Sequence, residues 1–239
     1  MINALLASAT PASGLAPKAL IAPHAGYLYS GPIAASAYAQ LLPARDQIQR
    51  IVLLGPAHYV ELEGLATSSA EAFATPLGIV PVDTEAVRQV RALPQVREMD
   101  EAHAYEHSLE VQLPFLQSVL SKFLLVPLVA GDASAEEVSQ VLDTLWGGPE
   151  TRFVVSSDLS HYCDYQAARR LDGATAKAIE ALKPGGIGED RACGRMPIQG
   201  LLQTAHRHGL RARTLDLRSS GDTAGPHDRV VGYGAFVFE

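Results

Sequence analysis

The 239-residue chain is poor in cysteine and has no long apolar run. Its two cysteines, Cys163 and Cys193, are too few for a disulfide framework, so we expect free thiols that are available as ligands. No segment reaches the roughly 18 consecutive apolar residues of a membrane-spanning helix, and the N-terminus lacks the basic start and apolar core of a secretory signal. These absences predict a soluble, cytoplasmic protein that does not bind membranes.

Positive charge is also scarce. The chain has 19 Lys and Arg residues against 26 Asp and Glu residues, which gives a formal net charge of −7 at pH 7. A general nucleic-acid-binding protein needs a basic face, so this balance argues against that class. Hydrophobic residues make up 47% of the chain, enough for a sizeable core, and the length fits one α/β domain over residues 1–239.

Four apolar segments have the character of buried strands, and each leads into a histidine or an aspartate. They are rich in Val, Ile or Leu and end at Gly, Pro or Ser, as buried strands of a parallel sheet do. The segments span residues 19–24, 51–58, 124–132 and 153–161. In open α/β sheets, ligands bind beyond the carboxyl ends of the strands. The polar residues that follow these strands are therefore predicted to share one crevice.

Segments with helical periodicity alternate with these strands. The predicted helices span residues 32–42, 84–93, 108–123, 135–146, 166–182 and 197–208. Repeated strand, helix, strand order predicts a three-layer α/β/α domain around a mainly parallel central sheet. Residues 64–68 and 77–82 are predicted to form an added hairpin, and residues 212–218 and 230–238 the closing strands.

The predicted crevice offers three candidate metal ligands. His24 and His58 each follow a predicted strand, and Cys193 lies just before a predicted helix, where a thiol pKa is lowered toward the thiolate. Two imidazoles and a thiolate suit Fe(II), Cu or Zn better than Mg or Ca. The structural alternatives are a histidine bonded to a backbone carbonyl for His24, a helix-capping or surface histidine for His58, and a small buried apolar side chain for Cys193. Because two histidines follow two strands in the same way, the ligand interpretation is favoured for them, whereas both interpretations stay open for Cys193.

Four further residues are candidates for catalysis. Glu106 beside His107 would bind a metal or act as acid and base, because a carboxylate raises the basicity of a neighbouring imidazole; an acidic helix cap is the alternative. Asp158 and His161 follow a strand and would face one cavity if the intervening turn is helical. Such a pair suits a general base or a group that orients a ligand, and a turn-forming aspartate with a surface histidine is the alternative.

In combination, these segments resemble the Memo family, whose bacterial and archaeal members are known as AmmeMemoRadiSam system protein B. The resemblance spans nearly the whole chain and is carried by the motifs Pro23-His24-Ala25-Gly26-Tyr27 with Ser30-Gly31, Leu54-Gly55-Pro56-Ala57-His58, Glu106-His107-Ser108 with Leu113-Pro114-Phe115, Val155-Ser156-Ser157-Asp158-Leu159-Ser160-His161, and Ala192-Cys193-Gly194 with Pro197-Ile198. It implies a fold similar to class III extradiol dioxygenases, which use non-haem Fe(II). It also implies that His24, His58 and Cys193 are metal ligands and that Asp158 and His161 form a pocket pair.

The chain departs from these relatives at three places. The dioxygenases complete their metal site with a carboxylate, whereas this chain has Cys193, which changes the charge and redox tuning of a bound metal. The family's Ala-Gly-x-Phe-Tyr-Pro-like motif is absent ahead of Pro23, so we expect residues 1–17 to be a divergent or truncated segment. Met196 stands where some relatives have histidine, so the role of that histidine is not carried over.

Three functions are compatible with these residues. The first is a dioxygenase-like oxidoreductase that uses Fe(II), with Cu or Zn as alternatives, and in which His161 moves protons. The second is a non-enzymatic adaptor that holds a metal, or binds a small molecule or peptide in the crevice, and acts with AMMECR-type and radical SAM proteins. The third is a metal-activated hydrolase with His161 or Glu106 as the base. The sequence leaves the choice among them open.

Overall fold

Strands and helices alternate along the chain in the computed structural model, which describes residues 1–12 and 14–239. The strands are β1 (Ala19–Ala22), β2 (Arg50–Pro56), β3 (Leu65–Thr67), β4 (Ala72–Thr75), β5 (Gly78–Pro81), β6 (Val96–Glu98), β7 (Leu124–Ala130), β8 (Thr151–Ser156), β9 (His161–Cys163), β10 (Ala212–Ser219) and β11 (Val230–Phe238). The α-helices are α1 (Ile2–Ser8), α2 (Gly31–Tyr38), α3 (Thr84–Val90), α4 (Glu101–Ala104), α5 (His107–Glu110), α6 (Leu113–Val119), α7 (Ala135–Thr144), α8 (Tyr165–Glu180) and α9 (Arg195–Arg207). Short 3-10 helices span Ala39–Ala44, Pro184–Gly186, Glu189–Arg191 and Ser220–Asp222.

The main sheet has the strand order β10-β11-β1-β8-β2-β7-β3-β6, and β9 pairs with β11. The neighbours β1, β8, β2 and β7 are all parallel to one another, and they are the four strands predicted from the apolar segments. The strands β10 and β11 close one side in antiparallel pairing, as predicted, and β3 runs antiparallel to β7. Because the four central strands run the same way, their carboxyl ends lie along one edge of the sheet, called here the carboxyl edge.

Helices cover both faces of this sheet, which confirms the three-layer α/β/α architecture. Successive strand residues point to opposite faces. Thus Leu20 packs with residues of α2 and α6 on one face, while its neighbour Ile21 packs with residues of α7, α8 and α9 on the other. The helix α1 lies on α2, where Leu5 approaches Gly31. Among the described residues, no helix is both long and apolar enough to cross a bilayer.

The predicted helix over residues 108–123 is wrong as a single element. The segment is broken into α5 and α6, and Pro114 lies in the first turn of α6. Proline has no N–H to continue a helix but is well suited to a first turn, so the chain restarts there and Gln112 precedes the new helix. The helix predicted at 32–42 likewise ends at Tyr38 and continues as a 3-10 helix. The other four predicted helices are present, with ends shifted by less than a turn.

The predicted hairpin of residues 64–68 with 77–82 is also wrong. Leu65 and Ala66 are fully buried in β3, which joins the main sheet between β7 and β6. The hairpin is instead formed by β4 and β5, whose side chains are mostly exposed. Two buried apolar residues in succession favour an interior strand over a surface hairpin, because both faces of β3 are covered.

Candidate metal centre

Polar side chains meet at the carboxyl edge of the sheet, where the sequence predicts a crevice. His24, His58 and Asp158 each lie two positions beyond the last residue of β1, β2 and β8, respectively. One ring nitrogen from each of His24, His58 and His107 falls within 4.8 Å of the other two. The ring centroids of His24 are 5.2 Å from His58 and 5.5 Å from His107. The structure thus brings together His24 and His58, and it adds His107, which sequence analysis assigned to catalysis.

His24 is the buried member of this cluster, with 2% of its surface exposed. Its Nδ1 lies 2.8 Å from Ser156 Oγ, and its backbone N–H donates to Asp158 Oδ1 at 2.8 Å. Burial, followed by the charges of His58 and His107, lowers the pKa of His24 to about 3. His24 is therefore a neutral imidazole, the form that binds metals.

His58 is held at two points by the buried carboxylate of Glu106. The ring Nδ1 lies 2.8 Å from Oε1, the backbone N–H of His58 donates to Oε2 at 2.8 Å, and the Ser108 N–H donates to Oε1 at 2.9 Å. Burial raises the pKa of Glu106, but these hydrogen bonds outweigh burial and bring the pKa down to about 2. By contrast, Nδ1 of His107 is 3.8 Å from Oε1, beyond a normal hydrogen bond. Glu106 therefore fixes His58 and leaves His107 freer to turn.

Cys193 lies against His24. Its Sγ is 3.3 Å from His24 Nε2 and accepts a hydrogen bond from the Asp158 N–H at 3.3 Å. Burial, followed by the charge of Asp158, raises the pKa of Cys193 to about 12, so the metal-free protein carries a thiol. The expected lowering of this pKa by the N-terminus of α9 is wrong, because desolvation is the larger effect. Cys163 has a different environment, because it lies in β9 and its Sγ contacts the carbonyl of His161.

Asp158 and His161 lie next to the histidine cluster, but not on a helical turn. β8 ends at Ser156, residues 157–160 form no helical turn, and His161 begins β9 in an exposed position. Asp158 is buried, and Oδ1 accepts from the N–H groups of His24 and Ala25. Burial raises the pKa of Asp158 to about 6 against the opposing hydrogen bond from His24 and the charge of His161. The two residues are close enough to interact although the predicted turn is absent.

Proteins with similar sequences extend this description. A sequence model described as Memo-like protein matches residues 1–237 of the chain. A MEMO1 family protein from Aquifex aeolicus is 32% identical over 245 residues, covering 98% of this chain and 90% of the relative. One from Saccharolobus islandicus is 36% identical over 232 residues, covering 91% of this chain and 81% of the relative. The chain belongs to the Memo family.

A solved structure has a similar fold. The crystal structure of the uncharacterized protein JW3007 from Escherichia coli K12 superimposes with a TM-score of 0.56 and 15% sequence identity, covering 90% of this chain and 98% of that chain. At this identity the likeness concerns the fold alone. The Memo-family chain therefore shares with it a mixed α/β fold built around a large, mainly parallel sheet.

Two buried residues of this Memo-family site received no role from sequence analysis. Ser156 ends β8 and contacts His24, and Gln112 lies between α5 and α6 and contacts Ser156; both are 0% exposed. The sequence did carry a signal for each: Ser156 ends an apolar strand segment, and the amide Gln112 precedes the apolar stretch Leu113-Pro114-Phe115. Polar residues in such positions need hydrogen-bond partners inside the core.

A cavity of about 760 Å³ opens beside the Memo-family site. His58, Cys193 and Met196 line one part of it, and the acidic side chains of Glu61 and Glu63 line another. A second cavity of about 830 Å³ lies between the β4–β5 hairpin and the end of α6 and contains none of the candidate residues. The wall of the first cavity includes two of the predicted metal ligands, His58 and Cys193.

Proposed function

We propose that the crevice is a metal centre with His24, His58 and Cys193 as ligands. Two contacts carry the proposal: one ring nitrogen of His24 and one of His58 lie within 4.8 Å of each other and of a nitrogen of His107, and Cys193 Sγ lies 3.3 Å from His24 Nε2. The Nδ1 atoms of His24 and His58 already have partners in Ser156 and Glu106, which leaves their Nε2 atoms for a metal. Anchoring of the remote ring nitrogen is the usual arrangement of metal-binding histidines.

The chemistry of the donor set fits a transition metal. Imidazole and thiolate suit Fe(II), Cu and Zn, whereas Mg and Ca require oxygen ligands. We propose Fe(II) as the resident ion and Cu or Zn as alternatives. Cys193 supports the set because its Sγ lies 3.3 Å from His24 Nε2, and metal binding would replace the thiol proton. His107 is the third imidazole of the histidine cluster, and its looser attachment to Glu106 suits a ligand that exchanges with substrate.

We further propose that this centre performs dioxygenase-like redox chemistry. A bound Fe(II) ion with open coordination positions would supply a place for O₂ and substrate. Asp158, whose Oδ1 is fixed by backbone N–H groups, and the exposed His161 would hold or move a proton beside it. Glu106 would orient His58, because its two oxygens accept three hydrogen bonds.

A second candidate function is that of a non-enzymatic adaptor, and one observation favours it. Large apolar and aromatic side chains are exposed close to the candidate residues along the chain: Leu28 and Tyr29 after His24, Tyr59 after His58, and Tyr162 after His161 in β9. Exposed aromatic side chains are typical of surfaces that bind other proteins or peptides. In this version the crevice holds a metal, a small molecule or a peptide, and the protein acts with AMMECR-type and radical SAM proteins.

The metal content of anaerobically purified protein tests the first proposal. Wild type is compared with His24→Ala, His58→Ala and Cys193→Ala by elemental analysis and EPR spectroscopy. His206→Ala, which changes an exposed histidine on α9, is the matched control. We expect near-stoichiometric iron in wild type and control and its loss in the three ligand variants. Wild type that neither contains nor takes up a transition metal would refute the metal centre.

Oxygen consumption separates the two functions. If iron-loaded wild type consumes O₂ with a defined product and His161→Ala does not, the centre is catalytic. Iron that stays bound without turnover, together with one-to-one binding of a peptide or an AMMECR-type protein, favours the adaptor.

A further inference from the structure

A buried hydrogen-bond network lies behind His24, on the side away from the crevice. Ser156 Oγ is 2.8 Å from His24 Nδ1, 2.6 Å from the carbonyl oxygen of Ser108, and 2.8 Å from Nε2 of Gln112. The same Nε2 of Gln112 is 2.9 Å from the carbonyl oxygen of Pro23. The side chains of Ser156 and Gln112 are fully buried, so water does not compete for these groups.

The direction of every bond in this network follows from its two backbone carbonyls, which can only accept. The carbonyl of Pro23 requires a donor, so the amide nitrogen of Gln112, and not its oxygen, must face Pro23 and Ser156. The carbonyl of Ser108 requires the single hydroxyl hydrogen of Ser156. One lone pair of Ser156 Oγ then accepts from Gln112, and the remaining lone pair can only accept from His24 Nδ1–H.

The far end of the network agrees with this direction. With its nitrogen turned toward Pro23, Gln112 presents Oε1 to the hydroxyl of Tyr38, which donates at 2.7 Å. Each polar atom of the Gln112 side chain therefore has a partner of the right kind. The break between α5 and α6 is what makes this possible, because it places Gln112 outside both helices with its side chain beneath the carboxyl edge.

We infer that Ser156 and Gln112 are positioning residues that hold His24 in the Nδ1–H tautomer and thereby present its Nε2 lone pair to the metal. In the metal-free protein this lone pair accepts the thiol hydrogen of Cys193, whose Sγ is 3.3 Å away. The part of the inference that concerns the metal rests on the proposed function, whereas the tautomer does not. His58 is set in the same tautomer by a carboxylate, so the two ligands are oriented by different chemistry.

Nitrogen-15 NMR of histidine-labelled, metal-free protein tests the tautomer directly. The His24 signals are assigned by their loss in His24→Ala. We expect a protonated Nδ1 and an unprotonated Nε2 in wild type, and a mixture of tautomers in Ser156→Ala, which removes the acceptor. Ser139→Ala is the matched control, because Ser139 is a buried serine whose Oγ contacts Thr204 between α7 and α9.

Zinc affinity, measured by competition with a chromogenic chelator, tests the consequence. Loss of a group that orients a metal-binding histidine weakens binding by about 10–100-fold, which is the loss expected for Ser156→Ala. Gln112→Met, which keeps the length of the side chain, should weaken zinc binding by less, because Ser156 still faces His24. Ser139→Ala should bind zinc as wild type does.

The outcomes of these experiments are distinguishable. An Nε2–H tautomer in wild type, which needs no variant to fold, would overturn the inference even if the protein binds metal. Wild-type zinc affinity in a folded Ser156→Ala protein would overturn the positioning role. If the tautomer is as expected but wild type binds no metal, the proposed metal centre fails while the tautomer assignment stands.

Discussion

Replacing Glu106 by glutamine is the sharpest test of how His58 is held. Both carboxylate oxygens accept from N–H donors, Oε1 from the His58 ring and the Ser108 backbone and Oε2 from the His58 backbone. Glutamine has nearly the same shape, but one of its two positions is an NH₂ group. Either orientation of the amide therefore sets a donor against a donor. The side chain of Glu106 is 2% exposed, so water cannot relieve the conflict.

Two separate losses follow from this geometry. A buried donor left without an acceptor costs about 1–3 kcal/mol of unfolding free energy. For a chain of this length, each kcal/mol lowers the melting temperature by roughly 2–4 °C. A metal-binding histidine that loses its orienting partner binds about 10–100-fold more weakly. That range corresponds to about 1.4–2.7 kcal/mol of binding free energy.

Thermal unfolding of metal-free protein and zinc titration of folded protein measure the two losses independently. Asp83→Asn is the matched control, since Asp83 is a buried carboxylate that caps α3 and pairs with Arg50, away from the candidate centre. We expect both variants to lose stability and only Glu106→Gln to lose zinc affinity. If Glu106→Gln is destabilised yet binds zinc like wild type, the orienting role of Glu106 is refuted.

Three further predictions concern stability. Burial, and then the charge of a neighbouring arginine, lowers the pKa of Lys18 from 10.5 to about 8. Between these two pH values the unfolded chain binds more protons than the folded protein, so the unfolding free energy should rise with pH. Denaturant titrations at several pH values should show this rise in wild type and not in Lys18→Met. Gly200→Ala should lower the unfolding free energy by about 1–3 kcal/mol, because the new methyl group collides with Val138 across the α7–α9 contact, and an unchanged midpoint in urea would contradict this. Ser134→Ala removes the capping box that Ser134 forms with Glu137 at the start of α7 and should cost about 1 kcal/mol, measured by thermal unfolding.

The residues at strand ends were predictable from the sequence because their position follows from topology. Parallel strands of alternating α/β units must end at one edge, so His24 and His58 could be expected to meet before any distance was known. The same reasoning placed Asp158 there, two positions beyond its strand. The pattern of apolar residues likewise predicted the closing strands β10 and β11 near the end of the chain.

Properties that depend on packing could not be predicted from the sequence in this way. The pKa of Cys193 was misjudged because proximity to a helix start is visible in sequence, whereas desolvation depends on what covers the thiol. Residues 64–68 were misassigned because both strands that pair with β3, namely β6 and β7, come much later along the chain. The role of Gln112 was also not predictable. It requires the break between α5 and α6 and the burial of Ser156, and both depend on the tertiary structure.

The differing burial of the three histidines indicates from which side a ligand reaches the centre. His24 is 2% exposed, and the network of Ser156 and Gln112 closes the space behind it. The side chains of His58 and His107 are 26% and 41% exposed, so the crevice opens on their side. A ligand that entered through the cavity of about 760 Å³ would therefore meet His58, which lines it, before it reached the buried His24. In the proposed metal centre, the buried side would fix the geometry of the ligands, and the open side is where an incoming group would displace a side chain without disturbing the core.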